Sequence, residues 1–378
     1  MERIHLSLCH MGGSEIEYVK KAFQTNWIVP LGPEVDEFEN RLSSFLDTNR
    51  PVVALSSGTA AIHLGLLVAG VSPGDEVVCQ SLTFAASANP INYLGANPVF
   101  VDSETTTWNI DPVVLLHTLE DRKEKTGRYP RAVIPVHLYG MPADMEPIMK
   151  ICAERGVAVV EDAAEALGSM YAGKHCGTFG KFAALSFNGN KIITTSGGGA
   201  IICPDEESAQ RVLFYATQAR EKCPYYYHRF IGYNYRLSNV SAAIGCGQME
   251  VLPDFVTRRQ QIHRLYVEIL SDIPGVYVHS NSSDKYDSNY WLTTIQLDPE
   301  KIKITPDQLR MALAEQNIES RLIWRPMHLQ PVFADAPYYG DNVAETIFNR
   351  GLCLPSGSNL TDSHIERVTD AIRAFIKY

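Results

Sequence analysis

Between residues 52 and 160 the chain alternates short apolar runs with segments of helical periodicity. Strands that are apolar along nearly their whole length are covered on both faces, which is typical of parallel sheets. Their alternation with helices predicts an α/β protein, a three-layer fold with helices on both sides of a mainly parallel central sheet. The runs predicted to form strands are residues 52–55, 76–79, 98–102, 132–136 and 157–160.

The pattern changes in the last third of the chain. The sequence predicts a helix that is interrupted at Pro253, because proline removes a helical hydrogen bond. Thr305 and Gln308 have the spacing of a capping box at the start of another helix. We expect two domains, residues 1–250 and a smaller C-terminal α+β domain of residues 251–378. The elements predicted here are helices at 240–252, 255–270 and 361–376, and strands at 276–278, 291–297 and 319–324.

Composition narrows the functional classes. The formal net charge of −10 argues against a nucleic-acid binder, because phosphate neutralisation needs a basic surface. None of the 8 cysteines forms a CxxC pair, so we expect no metal and free thiols in a reducing compartment. The N-terminus does not have the pattern of a signal peptide, and no apolar run approaches the roughly 20 residues of a membrane span. The expectation is a cytoplasmic protein.

Lys191 is the residue with the strongest chemical implication. It follows the turn-forming residues 188–190 and precedes the glycine run 197–199, which indicates unusual backbone and close approach by a ligand. Upstream, the apolar run 157–160 ends at an acidic pair that includes Asp162. A reactive amine and a buried acid are what pyridoxal phosphate requires: the amine forms a Schiff base, and the acid keeps the pyridine nitrogen protonated. The alternative for Lys191 is an ordinary surface lysine.

Polar residues follow several predicted strands, at the edge where parallel sheets bind ligands. Ser57, Gly58 and Thr59 open a helix after the strand at 52–55, and the free N–H groups of a helix start bind phosphate well. A plain N-cap is the alternative. Ser186 could add a hydroxyl to the same phosphate. Three further residues at or just past strand ends are Asp102, His137 and Asp162.

Two other residues could contact a cofactor ring. Phe84 lies between a predicted strand and a predicted helix, where it could stack on a ring or belong to the core. Glu165 could face the same site as Asp162, or it could be a solvated loop acid. His328 is a candidate only, because a lone histidine is more often structural. The aromatic and basic segment 223–230 is interpreted as a site-lining loop or a subunit contact, since an acidic protein does not favour a nucleic-acid platform.

Taken together, these segments resemble the DegT-type sugar aminotransferases, which are fold-type I pyridoxal phosphate enzymes. The resemblance covers essentially the whole chain, and several motifs in the same order are more specific than any one of them. The segments that carry it are residues 10–13, 26–33, 56–61, 83–84, 161–168, 186–191, 232–236 and 326–328.

The resemblance implies roles for individual residues. Lys191 takes the place of the catalytic Schiff-base lysine, and Asp162 that of the acid beneath the pyridine nitrogen. Phe84 takes the place of the aromatic residue that stacks on the ring. Glu165 lies near the cofactor, where many members have glutamine or histidine. The phosphate-binding positions are Gly58, Thr59 and Ser186, and those near the sugar nucleotide are Trp27, Ile28, Asn190 and His328.

The resemblance also implies an assembly and a substrate. Asn234 matches an asparagine that reaches the cofactor phosphate of a neighbouring subunit, so a homodimer with shared active sites is expected. Residues 1–250 would then be the cofactor-binding large domain. The motifs look most like members that use L-glutamate to aminate UDP-linked 4-keto-6-deoxy-N-acetylhexosamines, as in bacillosamine-type synthesis. Two alternatives stay open: a pyridoxal phosphate-dependent sugar dehydratase, and a non-catalytic regulatory protein that kept the fold.

Overall fold

The computed structural model describes residues 2–376. Helices and strands alternate through the first half of the chain, as the apolar pattern predicts. Short 3-10 helices lie at Leu138–Gly140, Met327–Leu329 and Pro331–Phe333. The α-helices are α1 (Glu15–Gln24), α2 (Pro33–Phe45), α3 (Gly58–Val68), α4 (Ala85–Tyr93), α5 (Pro112–Thr126), α6 (Met145–Glu154), α7 (Glu206–Ala216), α8 (Asn239–Leu270), α9 (Pro306–Glu315), α10 (Val343–Arg350) and α11 (Asp362–Ile376).

The strands form three sheets, of which the largest has 8 strands. They are β1 (Val52–Leu55), β2 (Glu76–Gln80), β3 (Asn97–Val101), β4 (Ala132–Ile134), β5 (Ala158–Asp162), β6 (Met170–Tyr171), β7 (Lys174–His175), β8 (Phe182–Ser186), β9 (Gly199–Ile202), β10 (Val276–Val278), β11 (Tyr286–Asp287), β12 (Thr293–Leu297), β13 (Arg321–Leu322), β14 (Tyr338–Tyr339) and β15 (Gly351–Leu354).

The central sheet has the strand order β1-β9-β8-β5-β4-β2-β3-β14. Only β9 runs antiparallel to its neighbours, which are β1 and β8. Alternate residues of one strand enter different cores: Val77 and Cys79 of β2 pack with α3 and α4, whereas Val78 packs with α5 and α6. Both faces of the sheet are therefore buried, and the predicted α/β class with a mainly parallel sheet is confirmed.

The C-terminal part contains a second, antiparallel sheet of 4 strands in the order β10-β12-β15-β13. Its core also includes apolar residues of α9, α11 and the second half of α8, so the last helix docks where the sequence predicts. The capping box is present, since Thr305 accepts a bond from the backbone of Gln308 and Gln308 reciprocates. The strand predicted over 319–324 is shorter than expected and includes only Arg321 and Leu322.

The predicted interruption at Pro253 is wrong, because α8 continues through it from Asn239 to Leu270. Proline has a helical φ but cannot donate to the carbonyl of Met249, which costs about 3 kcal/mol. Leu252 and Phe255, on either side of the proline, are buried, and each contributes roughly 2 kcal/mol. The helix packs on α1 and α2 at one end and on α11 at the other. The division at residue 250 falls inside this helix and stays a prediction.

Two other features of the described residues bear on the composition argument. All cysteines are unpaired; Cys9 is exposed, Cys223 is half-buried and the others are buried. No helix within residues 2–376 has the length and apolar character that crossing a membrane requires.

Candidate active site

A cavity of about 460 Å³ opens at the carboxyl ends of β1, β5 and β8. This is the edge of the sheet where parallel strands place ligands. Residues from the C-terminal part, including Trp291, Arg321 and Trp324, close its other side. The residues predicted for the site from sequence that line this cavity are Gly58, Thr59, Phe84, Asp162, Glu165, Ser186, Asn190 and Lys191.

The start of α3 forms one end of the cavity. Ser57 has an extended backbone, and its hydroxyl accepts a hydrogen bond of 3.0 Å from the Ala60 N–H. The N–H groups of Gly58 and Thr59 have no carbonyl within their own helix, because they belong to its first turn. A Cβ added to Gly58 would lie 3.0 Å from the Cβ of Ser186, so glycine lets the helix start close to the end of β8. This end can bind a phosphate group.

Asp162 ends β5 and is only 5% exposed. Its Oδ2 accepts a bond of 2.6 Å from the Ser87 hydroxyl, and its Oδ1 accepts one of 3.1 Å from the Ala164 N–H. Ser87 is in turn hydrogen-bonded to Thr83 at 2.7 Å, so Thr83 is the donor of that pair. Among residues 2–376 no cation forms an ion pair with Asp162. A buried carboxylate without a cation is costly, and a protonated pyridine nitrogen would supply the missing charge.

Lys191 lies between a carboxylate and an aromatic ring. Its Nζ is 3.0 Å from Oε1 of Glu165 and 3.9 Å from the ring centroid of Trp291. The other carboxylate oxygen of Glu165 accepts a bond of 2.7 Å from the Tyr139 N–H. Burial raises the pKa of Glu165, although the charge of Lys191 opposes the shift. Glu165 is thus a partner of the amine rather than a solvated loop acid.

The turn that carries Lys191 is fixed by hydrogen bonds to the backbone carbonyl of the residue before it, Asn190. The oxygen of Asn190 accepts bonds from the Trp291 indole N–H at 2.6 Å and from the Ser7 hydroxyl at 2.9 Å. The side-chain Oδ1 of Asn190 is buried and has no hydrogen-bond partner among the described residues. A buried acceptor that lines a cavity is available to a ligand donor.

Aromatic side chains form a continuous wall of the cavity. Phe84, at the start of α4, is 56% exposed, and its ring lies 5.4 Å from that of Trp324. Trp324 lies 4.8 Å from Tyr139, which lies 6.2 Å from Trp291. The exposed face of Phe84 can stack on a cofactor ring. Tyr139, Trp291 and Trp324 were not predicted as site residues, and no local motif distinguishes them from core aromatics.

Four predicted residues lie outside the cavity of this single chain. Asn234 is exposed, and so are Trp27 (38%) and Ile28 (49%) on the segment after α1. His328 is hydrogen-bonded to Ser81 at 2.6 Å and paired with Glu345 at 3.1 Å. It lies between the residue that follows β2 and α10 rather than in the cavity.

The strand-end positions Asp102 and His137 have structural partners instead. The carboxylate of Asp102 accepts bonds from the backbone N–H groups of Asp341, Val343 and Ala344, which fixes the start of α10. His137 is fully buried and bonded to Glu161 at 3.1 Å. Neither lines the cavity.

The residues present match the chemistry of pyridoxal phosphate. Gly58, Thr59 and Ser186 would hold its phosphate, and Asp162 would pair with its ring nitrogen. Phe84 would cover the ring, and Lys191 would meet its aldehyde. The unpaired carboxylate of Asp162 is the strongest of these observations, because the described residues leave its charge without a partner.

Comparison with known proteins identifies aminotransferases as relatives of this chain. EpsN of Bacillus subtilis (strain 168), whose name assigns it provisionally to the pyridoxal phosphate-dependent aminotransferases, is 47% identical over 375 residues, 98% of this chain and 95% of that protein. A GDP-perosamine synthase of Escherichia coli O157:H7 is 37% identical, with 96% of each chain covered. The crystal structure of the aminotransferase TlmJ from Streptoalloteichus hindustanus superposes with a TM-score of 0.89 at 30% identity, covering 99% of this chain and 98% of that one.

The family model that matches this chain spans residues 10–373, nearly the whole sequence. It therefore covers both the cavity-lining residues and the C-terminal sheet. The enzyme class and cofactor predicted from sequence are confirmed: the chain belongs to the DegT/DnrJ/EryC1/StrS aminotransferase family and is a pyridoxal phosphate-dependent sugar aminotransferase.

Proposed function

We propose that this protein transfers an amino group from L-glutamate to the 4-keto carbon of a nucleotide-linked 4-keto-6-deoxy sugar. The UDP-linked N-acetylhexosamine is the sugar nucleotide that its motifs favour. The proposal rests on one observation above all: Lys191 and the unpaired carboxylate of Asp162 line the same cavity. Asn190, whose buried Oδ1 has no partner among the described residues, offers an acceptor to a sugar hydroxyl.

When bound, pyridoxal phosphate supplies the aldehyde that carries the amino group and the ring that withdraws electrons from the reacting carbon. The residues of this chain bind the cofactor and transfer the proton. Asp162 keeps a positive charge on the ring nitrogen, and the start of α3 orients the phosphate. Lys191 moves a proton to and from the reacting carbon as general acid and base.

Glu165 and Trp291 define where Lys191 rests when its amine is free. The carboxylate at 3.0 Å and the indole face at 3.9 Å both attract an ammonium group. These two contacts would keep the free amine of Lys191 inside the cavity in both halves of the reaction.

A substrate panel tests this function. Purified protein with pyridoxal phosphate and L-glutamate is offered UDP-, GDP- and dTDP-linked 4-keto-6-deoxy sugars, and products are identified by mass and NMR. We expect a 4-amino sugar with every active substrate and, for the UDP-linked N-acetylhexosamine, a kcat/KM higher by about tenfold or more. The GDP sugar belongs in the panel because one relative is named a GDP-perosamine synthase.

The outcomes of the panel separate the alternatives. Glutamate alone should release 2-oxoglutarate in an amount stoichiometric with active sites. A sugar product without new nitrogen would instead indicate a dehydratase. No release of 2-oxoglutarate and no sugar product would indicate a protein that kept only the fold.

The proposal includes a homodimer with shared active sites. Asn234 is exposed and does not line the cavity of its own chain, while the neighbouring segment presents Tyr226 (79% exposed), Phe230 (54%) and Ile231 (84%). Phe23 on α1 is also 57% exposed. Apolar exposure on this scale marks an interaction surface, and a second copy would place Asn234 near the other cofactor phosphate.

Subunit complementation tests the shared site. Lys191→Ala should abolish turnover, and Asn234→Ala should lower it about tenfold or more by removing a bond to a charged phosphate. A hybrid dimer of the two variants contains one site with both residues intact. Mixing equal amounts after dissociation and reassociation should restore about one quarter of wild-type activity, since half of random dimers are hybrids with one active site each.

The control mixture combines Lys191→Ala with the double variant Lys191→Ala/Asn234→Ala, which provides no intact lysine. It should stay inactive. If the first mixture has only the average activity of its two parents, Asn234 does not act across subunits.

A further inference from the structure

Arg259 is a buried cation with neutral partners only. It lies on α8 and is 1% exposed. Its Nη1 donates to the carbonyl oxygens of Trp291 at 2.6 Å and Ser356 at 2.9 Å, and its Nη2 donates to the Ser7 hydroxyl at 3.0 Å. Among residues 2–376 no carboxylate forms an ion pair with it, and burial alone lowers its pKa to about 9.

Such a group is expensive to bury. An unpaired charge in the interior is destabilising, and apolar residues of similar volume often serve a core better. Nothing in the packing of α8 demands a guanidinium, since its neighbours Phe255 and Ile262 are apolar and buried. The reason for a guanidinium at this position therefore lies in the groups that it binds.

Two of its three hydrogen-bond partners, Ser7 and Trp291, lead to one atom. An arginine can only donate, so the Ser7 oxygen must accept from Arg259 and direct its own proton elsewhere. That proton goes to the Asn190 carbonyl at 2.9 Å. Trp291, whose backbone oxygen Arg259 binds, donates its indole N–H to the same carbonyl at 2.6 Å. The carbonyl belongs to the residue directly before Lys191.

We propose that Arg259 is a positioning residue that fixes the Asn190 carbonyl through Ser7 and Trp291 and thereby presents Lys191 to the cofactor. The planar guanidinium has donors in a fixed fork, which a lysine ammonium cannot reproduce. It also sets Trp291, whose ring lies 3.9 Å from the Lys191 amine. The inference rests on the proposed function, in which Lys191 reacts with pyridoxal phosphate.

The test measures how fast Lys191 becomes linked to the cofactor. Pyridoxal phosphate is added to apoenzyme, samples are reduced with borohydride at intervals, and the adduct at residue 191 is quantified by mass spectrometry. Arg259→Met should slow adduct formation about tenfold, because a shift of the turn by a fraction of an ångström misaligns the amine. Arg259→Lys, which keeps a donor but not the fork, should recover only part of the rate and stay about threefold below wild type.

Arg258→Met is the matched control. Arg258 is the preceding residue of α8, and it donates to the Leu360 carbonyl and to Asp362 without reaching the active-site turn. This variant should lose some thermal stability and form the adduct within about twofold of the wild-type rate. If it slows adduct formation as much as Arg259→Met does, the effect of Arg259 is only structural and the proposal is overturned.

Ser7→Ala and Trp291→Phe test the proposal independently if the Arg259→Met protein does not fold. Each removes one bond to the Asn190 carbonyl, and the pair together should slow adduct formation about tenfold. Wild-type rates in the pair, or in a folded Arg259→Met protein, overturn the proposal. A wild-type protein that forms no adduct at residue 191 contradicts the proposed function instead.

Discussion

Replacing Lys191 by alanine is expected to lower turnover by about 10⁴-fold or more while leaving the fold intact. The size of the effect follows from two roles in one side chain, since the amine both reacts with the cofactor and moves the proton in each half of the reaction. Neither neighbour can replace the amine. Glu165, whose carboxylate lies 3.0 Å from the Lys191 amine, cannot form a Schiff base, and Trp291 has no basic atom. Amination is measured with glutamate and the best sugar of the substrate panel.

Folding and cofactor binding provide the control for this variant. Gly58, Thr59, Ser186 and Asp162 all remain, so the apoenzyme should still bind pyridoxal phosphate reversibly. The expected signature is bound cofactor that dialysis removes and borohydride does not fix to the chain. Lys191→Arg keeps the positive charge beside Glu165 and should be as inactive as the alanine variant, because a guanidinium does not give up its proton. Activity within about a hundredfold of wild type in either variant would contradict the proposed mechanism.

Two of the residues predicted from sequence and found in the cavity lie at or just past the carboxyl ends of predicted strands. They are Ser57, after β1, and Asp162, at the end of β5; Ser186 ends β8, a strand that the sequence analysis does not predict. Because parallel strands bring their carboxyl ends to one edge of the sheet, local pattern and topology together place these residues at the same site. Lys191 was recognised by its chemical type and its glycine-rich surroundings.

The residues that sequence reasoning missed come from distant parts of the chain. Trp291 reaches Lys191 across about a hundred positions, and Arg259 reaches Ser7 across a separation of 252. No spacing rule connects such residues, since only the packing of α8 and the C-terminal sheet against the central sheet brings them together.

The fold was predicted best where pattern and packing agree. Strands β1 to β5 have continuous apolar runs, whereas β9 begins with Gly199 and Ala200 at the end of a glycine run, and neither residue type favours strands. At Pro253 the local rule predicted a break, and the burial of Leu252 and Phe255 overrode it. Local preference is a weak guide where a helix is held along its whole length by tertiary contacts.

Replacing Asp162 by asparagine should reduce turnover about 10³-fold and weaken the affinity for pyridoxal phosphate about a hundredfold, since breaking a buried ion pair costs roughly 3–5 kcal/mol. Asparagine has nearly the same shape, so the change removes the charge and little else. Ser87→Ala is the matched variant, because it removes the 2.6 Å bond to Oδ2 and keeps the carboxylate. It should lower turnover about tenfold.

The stability of the apoenzyme separates a chemical effect from misfolding. Without cofactor, Asp162 is a buried carboxylate that has no ion-pair partner among the described residues and is only 5% exposed. Removing its charge relieves a desolvation penalty, so the Asp162→Asn apoenzyme should unfold at a temperature equal to or above that of wild type. With saturating pyridoxal phosphate the order should reverse, because the wild-type site gains the larger binding free energy. This reversal is expected only if Asp162 pairs with a cation of the bound cofactor. If the cofactor stabilises the asparagine variant as much as wild type, Asp162 does not pair with the ring nitrogen.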